Sequence, residues 1–364
     1  MIPIAKPDVG QGEIKLVNEV LASGMLAQGP KTEQLEADFA SYCGTKYAIA
    51  VNSGTATIHA ALYAAGVRQD DEVITVPFSF IATVNPIIML GAKPVFVDVR
   101  EDDYLIDVDQ LEFKITDKTK AIVPVHLYGQ VADMDRINEI AARHNIPVIE
   151  DACQAIGAEY KGKKAGSLGT AGCFSLYATK NIMSGEGGVI TTNDENLARI
   201  ARQFRQHGMS GPYQYEHLGY NYRTTDLCAA IAIEQLKRVD EFNIRRRENA
   251  ASISDALNGV AEVVLPTVSN SNTHVFHQYT IRITSTSTVR DQVVDFLRAR
   301  DVGAGVYYPK PLHLIPHIAE YGYKEGDYPV AEQCAKSVLS LPIHPGVTER
   351  DLSIITQAVK DALS

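Results

Sequence analysis

Short apolar runs recur from residue 47 to residue 191 with helical patterns between them, and no other feature restricts the fold as much. The runs fall at 47–51, 72–76, 94–97, 121–125, 147–149, 173–176 and 188–191, with helical periodicity at 57–65, 133–144 and 195–207. Apolar strands with few polar interruptions are buried on both faces. Helices between such strands point to a mostly parallel sheet covered on both sides, an α/β architecture. Ligands in sheets of this kind gather at the carboxyl ends of the strands, and Asp151 is expected just beyond such an end.

The flanking segments extend this reading. A helix is expected over 12–23, with Ile14, Val17, Val20 and Leu21 on one face, and a second begins at a Thr32 cap and continues through Leu35, Phe39 and Tyr42. One long helical pattern starts near Thr225 and runs towards Ala256, rich in charge after Arg238, as a solvated connector between two domains would be. Strands at 263–265, 277–283 and 305–308 and a helix over 288–300 then suggest a smaller α+β domain. The expected division is a large domain at 1–245 and a small one at 246–364.

The net charge of −10 argues against a general nucleic-acid binder, because phosphate backbones require basic faces. It leaves room for an anionic small substrate in a local basic pocket. Five cysteines, none in a C-x-x-C pair, read as reduced thiols. No apolar stretch has membrane-span length and the N-terminus lacks a signal-peptide layout, so the expected location is the cytoplasm, with no membrane partner.

Three positions carry the chemistry. Lys180 follows Ser175 by five residues, and Asp151 closes an apolar run. A carboxylate, a hydroxyl and a lysine amine in this order suit pyridoxal 5'-phosphate, with the lysine as Schiff-base partner and the carboxylate against the pyridine nitrogen. The turn Asn52-Ser53-Gly54-Thr55-Ala56-Thr57 lies between a strand and a helix. There Ser53 or Thr55 can cap the helix, and its free N–H groups suit a phosphate. Each part alone has a plainer explanation: a surface charge, an N-cap, a capped turn. Gly185, Gly187 and Gly188 read as an ordinary bend. The pairs His313/His317 and His274/His277 have zinc-like spacing, but Pro316 interrupts the first and a strand the second, so no metal is assigned. His126, at a strand end, is a further candidate to line a pocket.

The turn at 52–57, Pro77-Phe78-Ser79-Phe80-Ile81-Ala82-Thr83, Glu150-Asp151-Ala152-Cys153-Gln154, the stretch 174–181, Gly185-Glu186-Gly187-Gly188, Gly219-Tyr220-Asn221-Tyr222-Arg223 and Pro309-Lys310-Pro311-Leu312-His313 together resemble the nucleotide-sugar aminotransferase family of the DegT type. These are fold-type I pyridoxal-phosphate enzymes, related in architecture to aspartate aminotransferase. The resemblance covers essentially the whole chain. It implies Lys180 as the Schiff-base lysine, Asp151 on the pyridine nitrogen, Gln154 near the ring hydroxyl and Phe80 stacked on the ring. It implies Gly54, Thr55 and Ser175 on the phosphate, and Asn221 reaching the phosphate of a partner subunit, hence a homodimer with shared sites. Arg223, Lys310 and His313 are the candidates for an acceptor's diphosphate. The implied reaction takes nitrogen from L-glutamate through the pyridoxamine form to a nucleotide-linked keto sugar, at carbon 3 or 4, for surface polysaccharide or glycan synthesis. Two alternatives stay open. One is a regulatory protein that binds the cofactor without turnover. The other is a different branch of the family, either the sugar dehydratases, which carry histidine where this chain has Lys180, or the makers of an amino-hydroxybenzoate ring.

Overall fold

The computed structural model describes residues 1–285 and 289–364. Among these, seven strands form the central sheet: β1 Tyr47–Val51, β2 Glu72–Thr75, β3 Lys93–Phe96, β4 Thr119–Ile122, β5 Ile149–Asp151, β6 Ala171–Ser175 and β7 Gly188–Thr192. They lie in the order β1-β7-β6-β5 and β3-β2-β4. Single parallel bridges, Ile122 to Val148 and Val125 to Asp151, join the two halves at the β5/β4 seam. Strand β7 runs antiparallel to β1 and β6, while β2 is parallel to β3 and β4, and β5 to β6. The mostly parallel sheet expected of the apolar runs is therefore present. Asp151 does not lie beyond a strand, however; it is the last residue of β5, in register with Cys173.

Helices α1 Gln11–Ser23, α2 Pro30–Cys43, α3 Gly54–Ala64, α4 Met134–His144 and α5 Glu195–Arg205 pack around this sheet. Helix α3 is buried on almost every side from Ala56 to Tyr63, which explains its small, apolar, unpatterned sequence. Ser53 caps it, accepting from Ala56 N at 3.1 Å. The start of α2 differs from expectation, since Thr32 lies within the first turn and Gly29 is the capping position. The free N–H groups go instead to the carboxylate of Asp226, which accepts from Gly29 N, Lys31 N and Thr32 N at 2.8, 3.0 and 3.0 Å. A cap supplied from 194 residues away leaves no local signal.

The long pattern after Thr225 is two helices, α6 Asp226–Lys237 and α7 Val239–Leu257, broken at Arg238. Helix α7 is not a solvated connector. Its charges at 240, 241, 245 and 248 occupy the outer face, while Phe242, Asn243, Arg246, Asn249, Ala250 and Ile253 are buried. The expected boundary between 245 and 246 falls inside this continuous helix.

A second, antiparallel sheet follows, with β8 Val263–Val264, β9 Tyr279–Ile283 and β10 Val338–Leu341 in that order. Helices α8 Arg290–Ala299 and α10 Glu349–Leu363 cover it, with α9 Pro329–Ser337 between them in the chain. Tyr279, Ile281, Val293, Leu297, Leu339 and Ile355 form its separate apolar core. The expected strand at 305–308 is absent: Gly305 makes one bridge to Ser340, and the Tyr307–Tyr308 peptide is cis. Strand β10 takes that place in the sheet. Thr288, the expected start of α8, lies outside the described residues. Leu312, Ile318, Tyr328 and Cys334 pack in the same core as Phe39 and Phe96, so this stretch joins the larger body.

Candidate active site

A cavity of about 460 Å³ opens at the carboxyl ends of β5 and β6 and at the N-terminus of α3. Gly54, Thr55, Phe80, Asp151, Gln154, Ser175 and Lys180 all line it. Chain topology brings them there from four separate elements.

Asp151 is buried, and its carboxylate is held from two sides: Oδ2 accepts from Thr83 Oγ1 at 2.7 Å and Oδ1 from Cys153 N at 3.2 Å. Thr83 is itself fixed, its hydroxyl 2.8 Å from Ser79 Oγ. The Gln154 side chain is oriented end to end. Oε1 accepts from Tyr128 N at 2.8 Å and Nε2 donates to the Tyr308 hydroxyl at 3.0 Å.

Lys180 lies on the irregular segment after β6, where its backbone N donates to Tyr177 O at 2.9 Å. Burial lowers the proton affinity of its amine below the ordinary lysine range, while the neighbouring Cys153 and Asp151 act in the opposite direction. A lysine so placed releases a proton more readily than a surface lysine, as an amine nucleophile requires.

At the base of α3, a Cβ added to Gly54 would lie 2.8 Å from Ser175 Cβ, 3.1 Å from Ser175 Oγ and 3.2 Å from Cys153 Sγ. Only glycine lets the first turn approach Ser175 this closely. The N–H groups of that turn have no intrahelical acceptor, and a hydroxyl stands beside them, which is a cradle for an anionic group. A phosphate at one end, a carboxylate for a ring nitrogen and an amine for an aldehyde match the parts of pyridoxal phosphate. Phe80, 53% exposed, presents its ring at the wall of this cavity.

The model of the DegT/DnrJ/EryC1/StrS aminotransferase family matches residues 7–360. The chain belongs to this family. It is 44% identical over 98% of its length, and 94% of the relative's, to a protein of Geobacillus stearothermophilus named pleiotropic regulatory protein. It is 41% identical to the GDP-perosamine synthase of Caulobacter vibrioides, covering 100% of this chain and 98% of that one. The solved aminotransferase TlmJ from Streptoalloteichus hindustanus superposes with a TM-score of 0.94 at 32% identity, over 100% of this chain and 99% of that chain. The fold is that of the fold-type I aminotransferases, and the family depends on pyridoxal phosphate, with solved neighbours in both the pyridoxal and pyridoxamine forms.

Four residues singled out from the aminotransferase's sequence do not line this cavity: Asn221, Arg223, Lys310 and His313. Asn221 is exposed, between Tyr220 and Tyr222, whose rings stack at 5.1 Å against an aromatic cluster that includes His59 and Phe204. Side chains alternate along extended chain, so these two rings turn inward and Asn221 turns out. Arg223 is half-buried and Lys310 exposed. His313 corrects the expectation of a diphosphate contact. Its ring is fully buried, with Nε2 3.0 Å from Glu332 Oε1 and Tyr328 packed edge-on, and burial lowers its proton affinity. His126 likewise faces inward, paired with buried Glu150 at 2.9 Å. Among the described residues no cluster of side chains suits a metal ion.

Some cavity residues had no motif to mark them. Thr83 ends the 77–83 stretch, but nothing in that stretch assigns its hydroxyl to Asp151. Tyr308 and His277 also line the cavity, but both come from beyond α7 and nothing local connects them to Gln154 or Lys180.

Proposed function

We propose that this aminotransferase moves an amino group from L-glutamate to the keto group of a sugar linked to a nucleoside diphosphate, at carbon 3 or carbon 4. The product serves surface polysaccharide or glycan synthesis. The observation that carries the reading is the convergence of Lys180, Asp151 and the Gly54 cradle on one cavity. Pyridoxal phosphate, when bound, supplies an aldehyde and an electron-withdrawing ring that acidify the carbon carrying the transferred nitrogen. The remaining work belongs to the chain. Lys180 Nζ holds the group at rest and, once released, moves the proton at that carbon, which its lowered basicity favours. Asp151, oriented by Thr83, keeps the ring nitrogen protonated. Gln154 would meet the ring hydroxyl, Phe80 would cover a ring face, and Ser175 with the N–H groups of Gly54 and Thr55 would bind the phosphate.

Both substrates are anionic, yet no arginine lines the cavity among the described residues. This supports a homodimer in which the outward Asn221, with Arg223, completes the partner's site, leaving Lys310 as the other candidate for the diphosphate. The name GDP-perosamine synthase for one relative supports a nucleotide-linked acceptor. No helix among the described residues is long and apolar enough to cross a membrane; the cytoplasm is our reading of where the protein works.

The name of the Geobacillus relative favours a second reading, a cofactor-binding regulator. The test offers L-glutamate to the cofactor-loaded protein, followed by a panel of keto-sugar nucleotides. The expected result is one equivalent of 2-oxoglutarate per site, then an aminated sugar. Cofactor binding without release of 2-oxoglutarate would favour the regulator.

A further inference from the structure

The segment that carries Lys180 has no regular secondary structure between β6 and β7, so the place of the amine depends on what pins the loop. Backbone bonds fix its ends, with Ser184 N donating to Leu176 O at 2.8 Å. Its middle is pinned by the side chain of the next residue, Asn181, which is buried.

The polarity of that anchorage can be followed from one end. Asn243 Nδ2, on α7, donates to Ile156 O at 3.0 Å. Asn243 Oδ1 is therefore an acceptor, and it takes a hydrogen from Asn181 Nδ2 at 2.8 Å. Asn181 Nδ2 also donates to Val275 O at 3.0 Å. The Asn181 oxygen is then left facing His277 Nδ1 at 3.2 Å. An amide oxygen only accepts, so the hydrogen sits on His277 Nδ1. Burial, followed by the positive charges of Lys180 and Arg246, keeps His277 far below the ordinary histidine range. The ring is uncharged, with one hydrogen, and that hydrogen is committed to Asn181. His274, also driven neutral by burial, accepts from Phe276 N at 2.8 Å and holds the bend from which His277 projects.

We infer that His277 is a positioning residue for Lys180, its Nδ1–H clamping Asn181 and thereby holding the lysine-bearing loop against α7 and the entry to β9. The inference rests on the reading of Lys180 as the reactive amine. It also gives the segment leading into the small sheet a direct hold on the lysine, since Tyr279 begins β9 two residues later.

The test uses three variants of the full chain. His277→Asn sets an amide nitrogen where Nδ1 stood; His277→Gln sets it one carbon further out; His277→Ala removes it. The primary readout is the rate at which added pyridoxal phosphate becomes linked to Lys180 in protein stripped of cofactor. Absorbance follows that rate, and borohydride trapping with peptide mapping fixes the position. Loss of one hydrogen bond in the clamp should slow linkage about tenfold in His277→Ala and His277→Gln, with His277→Asn restoring it. Asn181→Ala, which removes the contacts to Asn243 and Val275 as well, should be at least as slow as His277→Ala, and the double variant should be no slower than Asn181→Ala alone. Equal rates for the Asn and Gln variants, a wild-type rate for His277→Ala, or additive effects would overturn the inference. So would loss of fold in all three His277 variants, since the residue would then be structural. Absence of label at Lys180 in the unaltered protein would instead overturn the parent reading.

Discussion

Gly54→Ala isolates the close approach that makes the phosphate cradle. Gly54 is not among the glycines with left-handed backbone, so the added methyl costs nothing in dihedral strain. The effect is steric: the new Cβ would sit 2.8 Å from Ser175 Cβ, where ordinary carbon contacts are about 3.5–4.0 Å. Either the first turn of α3 or Ser175 must give way by roughly 1 Å. Overpacking of this kind costs about 1–3 kcal/mol, and the better helix propensity of alanine returns at most about 1 kcal/mol. The cofactor-free protein should thus lose only about 0–2 kcal/mol. Cofactor binding should lose more, because both proposed phosphate ligands move together. One disturbed hydrogen bond to a charged group, at about 1.5–3 kcal/mol, weakens pyridoxal phosphate binding roughly 10- to 100-fold. Equilibrium dialysis gives the affinity directly. Thermal melts with and without cofactor give an independent check, since the stabilisation by a fixed ligand concentration shrinks as Kd rises. Wild-type affinity in Gly54→Ala would refute the argument that this approach builds the anion site.

Three further outcomes are expected. Lys180→Met should abolish amino transfer yet fold. Because burial depresses the lysine's pKa, the unfolded chain binds more protons between the folded and unfolded values, so the wild-type cofactor-free protein gains stability as pH rises through that window and loses it below. The methionine variant should lack that slope and be more stable at neutral pH by urea melts. Asn221→Ala should leave the monomer's stability within about 0.5 kcal/mol, as for an exposed residue, while weakening cofactor retention measured by dialysis; unchanged retention would remove the shared-site argument. Burial holds His59 at about 4, against an ordinary value of 6.5, so its contribution is complete above the higher value and lost as pH falls towards the lower. Urea melts of His59→Phe at pH 7 and pH 5 should differ less than those of the wild type, and an equal difference would show that this ring does not govern acid stability.

Much of the site was legible because the chemistry is written in short local stretches. Asp151, Gln154, Ser175 and Lys180 lie within thirty residues, and strands β5 and β6, parallel and adjacent, bring their ends to one cavity. Short apolar runs and period-3.6 patterns revealed the strands of the central sheet and most helices to within a few residues. The errors occurred where the partner is distant. The cap of α2 comes from Asp226, the strand beside β9 is β10 instead of 305–308, and the buried face of α7 holds polar Asn243 and Arg246 that a charge count reads as solvated. His313 resembled a substrate ligand until Glu332, nineteen residues away, proved to be its partner.

The amino-acid order alone determined the α/β layering and the lysine, carboxylate and hydroxyl set, since periodicity and local spacing need no knowledge of what lies across the core. Tertiary structure decided the aim of those groups and the lowered proton affinity of the lysine. Thr83 on Asp151, Tyr308 on Gln154 and His277 on Asn181 are contacts between segments 68 to 154 residues apart. Hydrogen-bond polarity and desolvation depend on which groups meet in space, and no local stretch of chain encodes that meeting.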